Sequence, residues 1–301
     1  MSGPIPDLLA RPPEEILARH HPWALLGLWA WQTGLALIVG WPAAALARAA
    51  CGREPNADAV LWQSGGHALV DTLWHETHAL AALTHTAVLA LVVSAFAGLV
   101  PLASLMATLA YAAPGRGRNA GLARSGALGL GAFRAFGVLI VVLGSTEVAV
   151  VGAGIAAAEL IESGLHQVLG EAGAQQVAAV VVAIFLVAAS SILVTHDLAR
   201  AAAVRSRVGG WRALALGMRS FRMSTALLWW SWAWRTAAGI ALIAAGAQIV
   251  GRLPADSGGA TLVCVALIHQ GIAVSRVALR VSWLARALRA VAPDIPAEFS
   301  A

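Results

Sequence analysis

The sequence predicts an all-α, polytopic membrane protein: a six-transmembrane-helix bundle with short interfacial helices and both termini in the cytoplasm. Three observations predict it: a composition too apolar for water, six apolar stretches of spanning length, and an arginine distribution that separates two sides. Of the 301 residues, 59% are hydrophobic and 12% charged, against about a quarter charged in soluble domains. The mean hydropathy is +0.76, so a bilayer is the natural solvent for the chain.

A membrane-crossing helix needs about 20 mostly apolar residues to traverse roughly 30 Å of hydrocarbon. Six segments meet this: Trp23 to Leu46, Thr86 to Tyr111, Ala135 to Ala158, Val177 to Thr195, Thr225 to Val250 and Ala260 to Ala278. They divide the chain into a cytoplasmic N-terminal segment over 1–22, a membrane domain over 23–290 and a cytoplasmic tail over 291–301. The fifth span contains Arg235, and the sixth carries Arg276 and Arg280 at its inner end. Long arginine stems reach the interface from such positions, so both segments stand as spans.

Orientation follows from arginine, because positively charged loops resist translocation. All 20 basic residues are Arg, a choice that reads as codon bias. Arg116, Arg118, Arg124 and Arg134 follow span two; Arg200, Arg205, Arg207, Arg212, Arg219 and Arg222 follow span four; Arg286 and Arg289 follow span six. The opposite side holds only Arg48, Arg53 and Arg252, and collects acids such as Glu54, Asp58, Glu159, Glu162 and Glu171. Even-numbered spans therefore run inward. The net charge of +5 flanks apolar runs, so its expected counterion is an anionic lipid headgroup and not a nucleic acid.

Short amphipathic pieces complete the layout. Pro12 and Pro13 followed by Glu14 and Glu15 predict a short helix before span one, with proline in its first turn and acid at its positive end. The first 22 residues lack an apolar core of the signal-peptide type, so the first span is expected to stay in the mature chain. Leu198 to Arg222, with Trp211, Leu214, Leu216 and Phe221 among its arginines, reads either as an interfacial helix on anionic lipid or as an ordinary positive-inside loop. Trp23, Trp41, Trp229, Trp230, Trp232 and Trp283 lie near span ends, as an aromatic belt requires. On the far side, helices are expected over Ala57 to Gln63 and from His67 onward, and a second outer loop lies between spans three and four.

Two residue sets carry candidate chemistry. On one continuous helix, His67, Asp71, His75, His78 and His85 would fall within about 80° of one face, a nitrogen-rich set that suits Zn²⁺ or a similar divalent ion. Glu159, Glu162 and His166 share a helical face and are candidates to complete it. The competing reading is a wet, histidine-rich outer face. His75 and His78 lack the spacing of zinc-protease histidines, and Cys51 and Cys264 form neither a metal motif nor a disulfide framework.

The second set lies within the membrane: Glu147, Arg235, His269, Arg276 and Arg280. Glu147 and Arg235 each stand thirteen residues beyond an inner-boundary arginine, Arg134 and Arg222, about 20 Å deep at 1.5 Å per residue. An ion pair at equal depth is expected, and Gly144, Gly154 and Ala158 on the Glu147 face would admit a neighbouring helix. His269, Arg276, Arg280 and Trp283 form a stripe on span six that is expected to face the bundle interior. Either these groups line a path for protons, an anion or a polar solute, or they lock helices together. Asp197, beside His196, is placed to bond a nearby arginine. Haem ligation would need histidines at matched depth on facing helices, and only His269 is mid-membrane. No nucleophile elbow, phosphate loop or dinucleotide fingerprint is present.

PEEIL before span one, PNADAVLWQSGGHALVDTL on the far side, and HDLARAAAV followed by RALALGMRSFR between spans four and five carry a resemblance. The chain resembles a broad group of uncharacterised bacterial six-span proteins, similar in pattern to the membrane domain fused to some glycerophosphodiester phosphodiesterases. The resemblance covers most of the chain and implies a compact six-helix bundle of a bacterial inner membrane, with no catalytic residues to carry over. The His-rich run WHETHALAALTH departs from that pattern. The function expected is that of a non-enzymatic accessory or scaffold working with other membrane proteins; the alternatives are a solute or ion transporter and a metal-binding membrane protein.

Overall fold

The computed structural model describes residues 9–10, 13–18, 21–51, 77–112, 118–253 and 258–291. The chain is helical throughout these apart from connections and one minimal antiparallel pairing, β1 (Leu9–Ala10) with β2 (Tyr111–Ala112). The helices are α1 (Pro22–Cys51), α2 (Thr77–Ala97), α3 (Leu99–Ala110), α4 (Arg118–Leu139), α5 (Ser145–Ser206), α6 (Gly210–Met223), α7 (Thr225–Val250) and α8 (Gly258–Ala290). Among the described residues, four helical runs are long and apolar enough to cross a membrane: Val88–Ala110, Ser125–Ser206, Thr225–Val250 and Val263–Ala290. Their apolar side chains face outward, as at Val148, Val180, Ile184, Ile240 and Leu267. A bilayer solvates such a surface; water does not.

Two compact units make up the chain. One comprises Met1–His21, Leu102–Arg235 and Val281–Ala301; the other comprises Pro22–Pro101 and Thr236–Arg280. The first unit has a dense core built from Ile16, Met106, Leu109, Phe136, Leu139, Val194, Leu198, Leu228, Trp283, Leu284 and Leu288. In the second, α1 and α8 are joined by the Trp29 indole donating to Gln270 at 3.2 Å, and Gly246 admits Ile272 of α8 to the surface of α7.

Breaks in the helices have local causes. The apolar run expected over Thr86 to Tyr111 is interrupted at Gly98, between α2 and α3. Pro101 has no N–H to bond the carbonyl of Ala97 and its ring crowds that carbonyl, which ends the preceding helix there. Between α4 and α5 the residues Ile140–Gly144 form a π-helical turn, an insertion that changes the face presented on either side of it.

The expected outer loop between spans three and four is replaced by helix. Residues 145–206 are helical except at Gly170, whose φ of 70° and ψ of 172° lie in a region open essentially only to glycine. The two limbs fold back on each other: a Cβ added to Gly154, on the first limb, would lie 2.6 Å from Cβ of Phe185 on the second. Glu159, Leu160, Ile161 and Glu162 have adequate helix propensity once the hairpin aligns them, so one glycine suffices to reverse the chain.

Other differences concern the arginine-rich side. The short helix expected before span one is a single 3₁₀ turn, Pro13–Glu15. Leu198 to Ser206 extends the span-four helix, Arg207 ends it in the left-handed conformation, and a separate amphipathic helix, α6, begins at Gly210. Gly210, Ala213, Gly217 and Ser220 bury one face of α6, while Trp211, Arg212, Arg219 and Arg222 are exposed. Gly217 allows that face to meet the backbone of α5, since a Cβ there would lie 2.6 Å from the Ala199 nitrogen. The helix expected over Ala57 to Gln63 lies outside the described residues.

Candidate functional site

Polar side chains in the first unit gather along one face of the second limb of α5. Ser190, Val194, Asp197 and Ala201 recur at three- and four-residue intervals and are buried, which puts them on a single stripe. Asp197, 1% exposed, accepts a hydrogen bond from the Trp283 indole of α8 at 2.7 Å. Its other oxygen faces Arg200, one turn later on the same helix, at 3.4 Å. A buried carboxylate is costly unless paired and hydrogen-bonded, and here it has both. The Arg200 guanidinium also lies over the Phe136 ring of α4, 5.8 Å from its centroid.

Two further links tie the same stripe to its neighbours. The Trp229 indole of α7 donates to the Ser190 hydroxyl at 2.9 Å. The Tyr111 hydroxyl reaches the carbonyl oxygens of Val204 and Arg205 at 3.0 and 2.8 Å, taking up acceptors that a helix end leaves open.

The intramembrane candidates are distributed over both units. Glu147 and Arg235 fall in the first, and His269, Arg276 and Arg280 in the second. Among the described residues no ion pair joins Glu147 to Arg235. Arg235 instead donates to the Ser282 hydroxyl of α8 at 3.1 Å, and to the Ser231 carbonyl and hydroxyl at 2.5 and 2.8 Å. Its guanidinium covers the Trp234 ring at 4.5 Å. Two serines and an aromatic face supply what a carboxylate was expected to supply.

The span-six stripe does not face inward along its length. Trp283 is fully buried and Arg280 half-buried, but Arg276 and His269 are exposed. Packing against α7 uses Ile272, with the Arg276 stem 3.9 Å from a Cβ added to Gly239. Trp283, grouped by sequence with the interfacial tryptophans, is a core residue, whereas Trp23, Trp41 and Trp230 are exposed.

For the metal candidates, His67, Asp71 and His75 lie outside the described residues. His78 and His85 are on α2, with His85 exposed, and Glu159, Glu162 and His166 are exposed on the first limb of α5. Among the described residues no group of three or more potential metal ligands converges. Asp197 and Trp283 are therefore the centre that the structure assembles. The sequence signal for it was a carboxylate in an otherwise apolar helix. Comparison with protein-family models, with curated proteins and with solved structures returns no match.

Proposed function

We propose that the chain is a six-span protein of a bacterial inner membrane, with both termini cytoplasmic, acting as a non-enzymatic accessory or scaffold alongside other membrane proteins. The observation that carries this reading is how Arg235 is used. Its guanidinium is bound to hydroxyls and a carbonyl of α7 and α8 and stacked on Trp234. Such an arrangement joins helices, whereas a side chain lining a permeation path must exchange partners with water or solute. Asp197 is engaged in the same way by Trp283 and Arg200. The orientation is supported by the arginine-rich connections after spans two, four and six, and by the exposed arginines of α6.

Reporter fusions at each end test the topology: both are expected to report the cytoplasm, and either one outside overturns the orientation. Cysteine substitutions at Glu147, Arg235 and His269 test the role. They are expected to resist water-borne maleimides from both sides, and labelling of Glu147→Cys and Arg235→Cys would move the assignment to a solute path.

A further inference from the structure

On the arginine-rich side of the first unit, a cavity of about 270 Å³ lies between α4 and the end of α5. Arg134 lines it from α4 and Arg207 from the connection that follows α5, while Gly209, at the start of α6, closes an edge. Leu128, Ala132, Ala203, Val204 and Val208 supply apolar walls. Among the described residues no carboxylate lines the cavity, and neither arginine has an ion pair.

Arg207 is held in place at some expense. Its φ of 50° and ψ of 39° are left-handed, a conformation in which a helix end ordinarily uses glycine and which costs other residues about 1–2 kcal/mol. Glycine is available two and three positions later, at Gly209 and Gly210, yet arginine occupies the strained site. Its guanidinium lies 5.1 Å from the centroid of the Tyr111 ring, and Tyr111 is itself fixed by its bonds to the Val204 and Arg205 carbonyls. A strained residue whose charged head is positioned by an anchored ring indicates a use for the head. The start of α6 has no side-chain cap, which adds positive potential at the Gly209 edge.

We propose that this cavity binds the phosphodiester headgroup of an anionic membrane lipid, with Arg134 and Arg207 flanking the phosphate. Guanidinium groups match phosphate oxygens in geometry and charge. The volume is below the roughly 300–1,000 Å³ of pockets that enclose whole drug-sized ligands, so it suits a headgroup whose acyl chains remain outside. The apolar walls favour a lipid over free phosphate, because glycerol and the first acyl carbons can cover them. The proposal relies on the reading that this side meets the inner leaflet, where basic pockets between spans receive anionic headgroups.

The test is a titration of short-chain phosphatidylglycerol onto the full chain in a neutral detergent, in parallel with phosphatidylcholine of the same chain length and with inorganic phosphate. Saturable binding of phosphatidylglycerol alone is expected, weakened by about tenfold or more in Arg134→Gln/Arg207→Gln. Arg212→Gln/Arg219→Gln, which removes the same charge from α6, should bind like the unaltered chain. Equal weakening by both pairs would reduce the effect to diffuse charge and overturn the site. Equal binding of inorganic phosphate would overturn the lipid assignment. Arg207→Lys guards against misfolding of the double variant: it keeps the charge but loses the planar fork, and it should bind at intermediate strength. Reporter fusions placing the termini outside would overturn the topology while leaving this titration unchanged, so the two failures are distinguishable.

Discussion

The Trp283 indole and the Asp197 carboxylate meet at 2.7 Å although 86 positions separate them in the chain. Both side chains are 1% exposed, so neither has water as a substitute partner. Removing one side of such a bond takes a short hydrogen bond from a buried group, at about 1–3 kcal/mol. Trp283→Phe and Asp197→Ala should each lower the thermal midpoint in detergent, and Asp197→Asn, which keeps an acceptor oxygen, should lower it less. Unchanged midpoints in Trp283→Phe and Asp197→Ala would show that the contact contributes nothing.

Gly170 and Gly217 should both resist alanine, for different reasons. Among the described residues nothing lies within 4 Å of a Cβ added to Gly170, so the expected cost of Gly170→Ala is backbone strain, about 1–3 kcal/mol. At Gly217 the backbone is ordinary, but the added carbon would press on the Ala199 backbone, costing about 1–3 kcal/mol. Gly217→Ala should also loosen α6 and speed proteolysis at its arginines, a change that Gly170→Ala should not produce.

Gly246 offers the contrast. There an added Cβ meets the end of the Ile272 side chain, which can change rotamer, and not a backbone. Gly246→Ala is expected to lower the thermal midpoint less than Gly217→Ala. The reverse order would mean that α7 and α8 are packed more rigidly than α5 and α6.

Double-mutant cycles separate the expected partner of Arg235 from the observed one. Arg235→Leu combined with Ser282→Ala should show a coupling of about 0.5 kcal/mol or more, as contacting residues do. Combined with Glu147→Gln it should be additive within about 0.3–0.5 kcal/mol. Strong coupling to Glu147 would restore the ion pair expected from equal depth.

That contrast marks what sequence could and could not reveal. Depth along a span can be assigned from sequence alone, because rise per residue is constant and arginine is expected to mark the boundary. The partner is not, because it depends on which helix faces which. Arg235 and Glu147 were matched by depth, but serines on α7 and α8 occupy the guanidinium. Span five matched α7 at both ends, since polar residues bound it sharply. The loop expected between spans three and four did not appear, since acidic residues that suggest a loop to a composition-based reading are also good helix formers.

By itself the sequence determined that this chain needs an apolar solvent and where its long helices lie, because both depend on side-chain transfer energies that add along the chain. Tertiary structure alone decided that Trp283 is core and not belt, that Gly170 reverses a helix, and that Arg134 and Arg207 share a cavity. Those outcomes depend on close packing and on hydrogen-bond partners remote in sequence, and hydropathy carries no record of either.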